Sequence, residues 1–187
     1  MQMRFSTYRL LACMAVVVLA SLPGVAAADE WDSCVKLSDD LAVAGCSRAI
    51  DSQQYTGRSL ARVYARRGGA YAAQGDVNRA VADYNESMRI DPTYPAAYLN
   101  RGNVWFHRGD FDRAIADYNQ AIQLDPKDAE AYYGRGRALG GKGDLDRAMA
   151  DYNQAIQLNP KYGRAYVNRG SAWGNKGDLD QIGRAHV

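Results

Sequence analysis

Apolar positions along this chain recur on a fixed step. Tyrosines stand at Tyr64, Tyr98, Tyr132 and Tyr166, and again at Tyr84, Tyr118 and Tyr152, each 34 residues after the last. Alanines keep the same step at Ala80, Ala114 and Ala148, and so do the glycines Gly68, Gly102, Gly136 and Gly170. Polar turn residues share the period: Gly75-Asp76, Gly109-Asp110, Gly143-Asp144 and Gly177-Asp178, with a proline at Pro92, Pro126 and Pro160. A repeat of this length is the signature of stacked supersecondary units. Each unit reads as two helices. In the first unit one helix runs from about Ala61 to Gln74, where Gly75 supplies a left-handed C-cap and Asp76 an N-cap. The second runs from about Val77 to Ile90 and stops at Asp91-Pro92, since proline cannot continue a helix. The units are 61–94, 95–128, 129–162 and a partial fourth over 163–181. The expected fold is all-α, an α-solenoid of antiparallel helix pairs.

The recurring glycine falls inside a helix, where it costs about 1 kcal/mol relative to alanine. Close approach of the paired helix is expected to offset that cost, with Ala80, Ala114 and Ala148 as the facing small residues. Residues 29–57 stand outside the regular register and read as an irregular helical hairpin, Trp31 to Leu37 and then Leu41 to Ile50 behind Ser38-Asp39-Asp40. Its stretch Ala42 to Ile50 aligns with Ala114 to Ile122, which puts Cys46 where the array has Tyr118. The step from Ile50 to Gly68 is four residues longer than that from Ile122 to Gly136. An atypical terminal unit of this kind is a cap.

These positions resemble the tetratricopeptide repeat family, in an exported, bacterial-type form. The family pattern is met in the second unit by Tyr98, Gly102, Trp105, Ala114, Tyr118, Ala121 and Pro126. The third supplies Tyr132, Gly136, Leu139, Ala148, Tyr152, Ala155 and Pro160. The likeness covers about two thirds of the chain. It departs at one recurring place, where the family's leucine before the glycine is Arg67, Arg101, Arg135 and Arg169. Asp83, Asp117 and Asp151 recur on the second helices, and a ladder of Arg–Asp pairs along the array is expected.

The resemblance implies a scaffold without enzymatic activity, whose first helices line a concave groove for a peptide or protein segment. Carried over by position, the partner-binding groove comprises Leu99, Asn103, Phe106, His107, Tyr133, Arg137, Arg164 and Val167. Around them lie Arg62, Ala65, Gly69, Ala96, Glu130, Gly140, Gly141, Ser171 and Asn175. Leu99, Phe106 and Tyr133 are the expected anchors, with Arg137 and Asn103 for polar contacts, because aromatics and arginine dominate interface energy. Some family members clamp a C-terminal carboxylate. Here Ala65 and Gly69 occupy the first clamp positions, which does not support chaperone-tail binding. Two other classes remain: the adaptor part of a longer cell-envelope enzyme, and a structural module that self-associates.

The first residues change the compartment. Arg4 and Arg9, the uncharged run Leu10 to Ala20, Pro23-Gly24 and Ala26-Ala27-Ala28 have the anatomy of a secretory leader over residues 1–28. A periplasmic or secreted protein is expected. The whole chain has 23 Lys+Arg and 21 Asp+Glu, but without the leader's two arginines the balance is 21 to 21. Charge therefore points to no nucleic-acid partner and, after leader cleavage, to no membrane partner. Cys34 and Cys46 remain. In an exported protein they read most simply as a structural disulfide stapling the hairpin; a redox-active pair would more usually be Cys-x-x-Cys.

No catalytic set, cofactor site or metal site emerges. Gly136 to Lys142 mimics a phosphate loop, but Gly143 stands where Ser or Thr is needed. Arg108-Gly109-Asp110 is the array's turn, and Asn85-Glu86-Ser87 is a sequon placed in a helix. His107 has neither a nucleophile nor an orienting acid beside it. Residues 182–187, Ile-Gly-Arg-Ala-His-Val, match the translation of a common sequencing adapter, so a non-native tail is expected there.

Overall fold

The computed structural model describes Cys34 and residues 39–177. The leader, the expected helix from Trp31 to Leu37 apart from Cys34, and the tail from Asp178 lie outside the described residues. Eight helices are described: α1 (Asp39–Asp51), α2 (Gly57–Ala73), α3 (Val77–Ile90), α4 (Pro95–His107), α5 (Phe111–Leu124), α6 (Ala129–Gly141), α7 (Leu145–Leu158) and α8 (Gly163–Asn175). There is no strand among the described residues. Pairs α2–α3, α4–α5 and α6–α7 make the most extensive contacts, and each pair packs on the next.

Local chemistry sets the helix ends. Gly75, Gly109, Gly143 and Gly177 all have φ between +76° and +84°, the left-handed region that L side chains rarely adopt. Asp76, Asp110 and Asp144 then accept from the backbone N–H of Arg79, Arg113 and Arg147, three residues on. One boundary differs from expectation: α2 begins at Gly57, not Ala61. Thr56 opens it with extended backbone, and Arg58 on its first turn reaches Asp91 and Thr93. Both side chains come from beyond the unit's second helix, so no local signal marked this start.

The core is built from alanines and tyrosine rings. Ala80, Ala114 and Ala148 are wholly buried, as is Tyr118. The helical glycines do admit close approach, though what approaches is chiefly the tyrosine. A Cβ on Gly102 would lie 2.9 Å from Tyr118 Cε1, and one on Gly136 would lie 2.8 Å from Tyr152 Cε1. Tyr118 is also pressed from the following unit, since a Cβ on Gly134 would lie 2.7 Å from its ring. Gly102 and Gly136 thus trade helix propensity for the burial of an aromatic face, worth about 1.5–3 kcal/mol, whereas a Cβ on Gly170, the last of the recurring glycines, would meet nothing within 4 Å.

The Arg–Asp ladder is present and reaches further than expected. Arg67, Arg101 and Arg135 each grip Asp83, Asp117 and Asp151 with two hydrogen bonds, between 2.6 and 2.9 Å long. Those aspartate side chains are only 8 % exposed. A second arm of each arginine reaches back to the preceding unit. Arg101 Nη1 donates to Asn85, Arg135 Nη1 to Asn119 at 2.7 Å, and Arg169 Nη1 to Asn153 at 2.6 Å. In the cap, Arg67 Nη1 donates to Ser47 Oγ at 3.0 Å. The separation there is 20 residues where the array has 16, the four-residue insertion before α2 appearing as spacing.

The cap packs on α2 through Cys34, Cys46, Ala49 and Val63, all buried. The Cα atoms of Cys34 and Cys46 are 4.5 Å apart, and Arg66 Nε donates to the Cys34 carbonyl at 3.1 Å.

Two stability tests follow from this packing. Arg101→Leu should cost about 2–3 kcal/mol in chemical denaturation, because it strands the buried Asp117 carboxylate. Arg101→Leu with Asp117→Leu should recover most of that loss; a single mutant as stable as wild type would show that the pair is mere surface decoration. Gly136→Ala should lower stability by about 1–2 kcal/mol, overpacking against the Tyr152 ring outweighing the propensity gain. Gly69→Ala should raise it by up to ~1 kcal/mol, since its Cβ would meet only Tyr84 Oη at 3.7 Å. Thermal melts showing the two alanines to be equivalent would contradict this account.

Candidate peptide-binding groove

The first helices of successive units, α2, α4, α6 and α8, touch one another in order. The second helices have no comparable contact among themselves. The first helices therefore form the tighter, inner layer of the stack, and the expected groove residues lie along it.

The structure separates those residues into distinct environments. Phe106 and Arg137, from neighbouring units, come together: the guanidinium carbon sits 4.0 Å from the Phe106 ring centroid. It lies 5.6 Å from the Tyr133 centroid as well. Both Phe106 and Arg137 are half-buried. His107 is exposed and meets Phe106 edge to face at 5.6 Å. Leu99 is half-buried against the α5–α6 cluster. Asn103 is engaged inside the array, its Oδ1 accepting from Tyr118 Oη at 2.7 Å.

Tyr133 is only 8 % exposed. Its ring lies 4.9 Å from Tyr162 and 6.0 Å from Tyr152, and its hydroxyl oxygen accepts from Asn168 Nδ2 at 3.1 Å. It therefore joins its own unit to the next and offers the groove little surface. Val167 holds the equivalent position in the fourth unit and is 64 % exposed, with no described helix following to cover it. Arg164 is exposed at the first turn of α8.

Beside the Phe106–Arg137 stack is a cavity of about 250 Å³. It is lined by Phe106, Arg137, Gly140, Tyr152, Asn168 and Asn175, among others. Tyr152 and Asn168 were not expected in the groove. Tyr152 belongs to a second helix and repeats as a core residue, which hides any contribution to a surface. Asn168 was legible in principle: its equivalents are Arg66, Asn100 and Gly134, a position that varies from unit to unit.

Burial also tunes the tyrosines beneath the groove. Desolvation pushes Tyr84, Tyr152 and Tyr162 up to about 12, and Tyr118 higher still. These hydroxyls remain neutral donors and acceptors at neutral pH.

A family profile described as "TPR repeat" matches residues 68–107 and 102–143, and one described as "Tetratricopeptide repeat" matches 129–162. Together they span half of the 187-residue chain. This chain belongs to the tetratricopeptide repeat family. Among solved structures, a crystal structure of MamA aligns with a TM-score of 0.70 at 25 % identity, covering 79 % of this chain and 84 % of that one. The first repeat domain of Spaghetti (RPAP3), solved bound to the HSP90 peptide SRMEEVD, aligns at 0.64 with 27 % identity over 66 % of this chain and 98 % of that one. MamA from Desulfovibrio magneticus RS-1, at 19 % identity, shares the fold with a TM-score of 0.75 over 87 % of this chain and 89 % of its own. Comparison with curated protein sequences returns no match.

The tyrosines supply a pH test. A tyrosine whose folded pKa exceeds its unfolded value stabilises the fold fully below about pH 10. That contribution is lost as pH rises through the folded value, about 12 for Tyr84, Tyr152 and Tyr162. Melting temperature should accordingly fall between about pH 10 and 12. Ultraviolet titration should show a late-ionising group of tyrosines, and uniform ionisation near pH 10 in the folded protein would refute the burial account.

Proposed function

We propose that this chain is an exported protein-interaction scaffold that holds a peptide or protein segment along its inner helix layer, without enzymatic activity of its own. The observation that carries the reading is the Phe106–Arg137 stack at 4.0 Å beside an open cavity. An aromatic and an arginine meeting across two units form the kind of composite anchor that dominates binding energy at interfaces. They interrupt the repeat: Phe106 stands where other units have Ala72, Gly140 and Gly174, and Arg137 where they have Gly69, Asn103 and Ser171. The likeness to a Spaghetti domain solved with a peptide supports the same use of the fold.

Export is the second part of the proposal. It rests on the leader-like residues 1–28 and on the two buried cysteines meeting in the cap, which we assign to a structural disulfide. The partner is a protein, with no role for nucleic acid or for a membrane after leader cleavage.

Peptides selected on the wild-type protein should bind Phe106→Ala roughly tenfold or more weakly by fluorescence polarisation. Arg89→Ala, on the outer helix α3, should bind them as wild type does. Equal binding by Phe106→Ala and wild type would place the partner elsewhere on the molecule.

A further inference from the structure

One packing position breaks the repeat on the outer side of the array. Tyr71, Trp105 and Trp173 share a register position on the first helices, and the third unit has Leu139 there. In the first two units an arginine from the next helix lies over the ring. Arg79 sits 4.3 Å from the Tyr71 ring centroid, and Arg113 sits 5.0 Å from that of Trp105. Both do so while paired with the aspartate that caps their own helix, Asp76 and Asp110. Arg147 keeps the same pairing with Asp144, so its position is fixed in the same way. No ring lies over it among the described residues, and its side chain is 75 % exposed against 61 % and 66 % for Arg79 and Arg113.

A cavity of about 330 Å³ stands where the ring is missing. Buried Leu139 meets it from α6, Ile115 and Asn119 from α5, and Arg147 and Ala150 from α7. Between the first two units the corresponding walls are Val81, Asn85, Arg113 and Ala116, with Trp105 in place of Leu139. The walls thus keep their chemistry while the ring is lost. Arg135, held by Asp151 and Asn119, brings a second positive charge to the same cavity. The negative face of an aromatic ring complements two such guanidinium groups. A carboxylate is less suited, since Asp144 and Asp151 already answer both cations.

The volume lies at the bottom of the range of roughly 300–1,000 Å³ in which small-molecule sites occur, enough for one ring and little more. A free single-ring compound would hold there only at about millimolar concentration. A ring delivered on a chain gains further contacts along α5 and α7.

We propose that this slot takes the tryptophan or tyrosine side chain of a partner protein, seated over Leu139 and against Arg147, as a docking point on the outer helix layer. The site is separate from the inner groove and goes beyond that reading without resting on it.

Leu139→Trp should fill the slot from within, as Trp105 does one unit earlier, and raise the melting temperature. 3-Methylindole, the tryptophan side chain as a free molecule, should shift the Leu139 and Ile115 methyl resonances in an NMR titration of the wild-type protein, with a midpoint on the order of 1 mM. Ala150→Trp, at an exposed wall of the cavity, should abolish those shifts without altering the core. Random-library peptides selected on the wild-type protein and depleted on Ala150→Trp should share a tryptophan or tyrosine. Replacing that residue by alanine should weaken binding tenfold or more by fluorescence polarisation, and Arg147→Gln should weaken it about threefold. Phe106→Ala should bind these peptides as wild type does; peptides lost with Phe106→Ala would belong to the groove and overturn the outer site. Destabilisation by Leu139→Trp with no methylindole shift in wild type, or depleted peptides sharing no aromatic residue, would also overturn it. Methylindole binding with no peptide surviving depletion would assign the slot to a free aromatic compound and overturn the partner protein.

Discussion

One side chain per unit holds this array in register. Arg101 closes its own helix pair by gripping Asp117 and ties that pair to the preceding unit through Asn85; Arg135 repeats both contacts with Asp151 and Asn119. The aspartates are nearly removed from water, so an unanswered carboxylate there would be costly, and the guanidinium fork can satisfy it only from one helix separation and rotation. The pairing is thus a geometric restraint as much as a source of energy. In a linear array, where each unit touches only its neighbours, a restraint shared by two units propagates along the whole stack. Arg169 continues the contact to Asn153, but its Nε is buried without a partner among the described residues.

The same residue type does two different jobs on α6. Arg135 and Arg137 are two positions apart and so point away from each other around the helix. One is committed to the frame by two hydrogen bonds to Asp151; the other rests on Phe106, from the preceding unit. This division lets the inner layer vary without disturbing the stack. Core and ladder positions recur every unit, whereas the groove-facing positions change from alanine or glycine to leucine, phenylalanine, tyrosine and arginine.

The repeated phrase Asp-Tyr-Asn shows how much of this was legible beforehand. Its aspartate was expected in a ladder with the recurring arginines from periodicity alone, and the structure supplies which arginine meets which. Its asparagine was visible but unassigned, because its partner lies in the following unit, and the distance between units is a product of packing. Its tyrosine sits where the paired helix was expected to approach through alanine, the ring itself occupying the surface of Gly102 and Gly136. Tyr133 was expected to face a partner and instead bridges to Tyr162 and Asn168, since its exposure depends on how closely α8 settles on α6.

The sequence by itself determined what depends on neighbours along the chain: two helices per unit, left-handed glycine ends, aspartate caps, the period of 34, and an extended cap spacing that reappears as Arg67 meeting Ser47. These are short-range effects, and repetition made each of them visible several times. Only the tertiary structure decided which varying residues meet. Phe106 and Arg137 are 31 residues apart, and the cavity beside them takes walls from four helices. Its existence depends on ångström-scale separations between packed helices, with Tyr152 leaving Gly140 uncovered where Phe111 covers Gly141. No local pattern encodes a gap of that kind, because it is what remains after every neighbouring side chain has found its place.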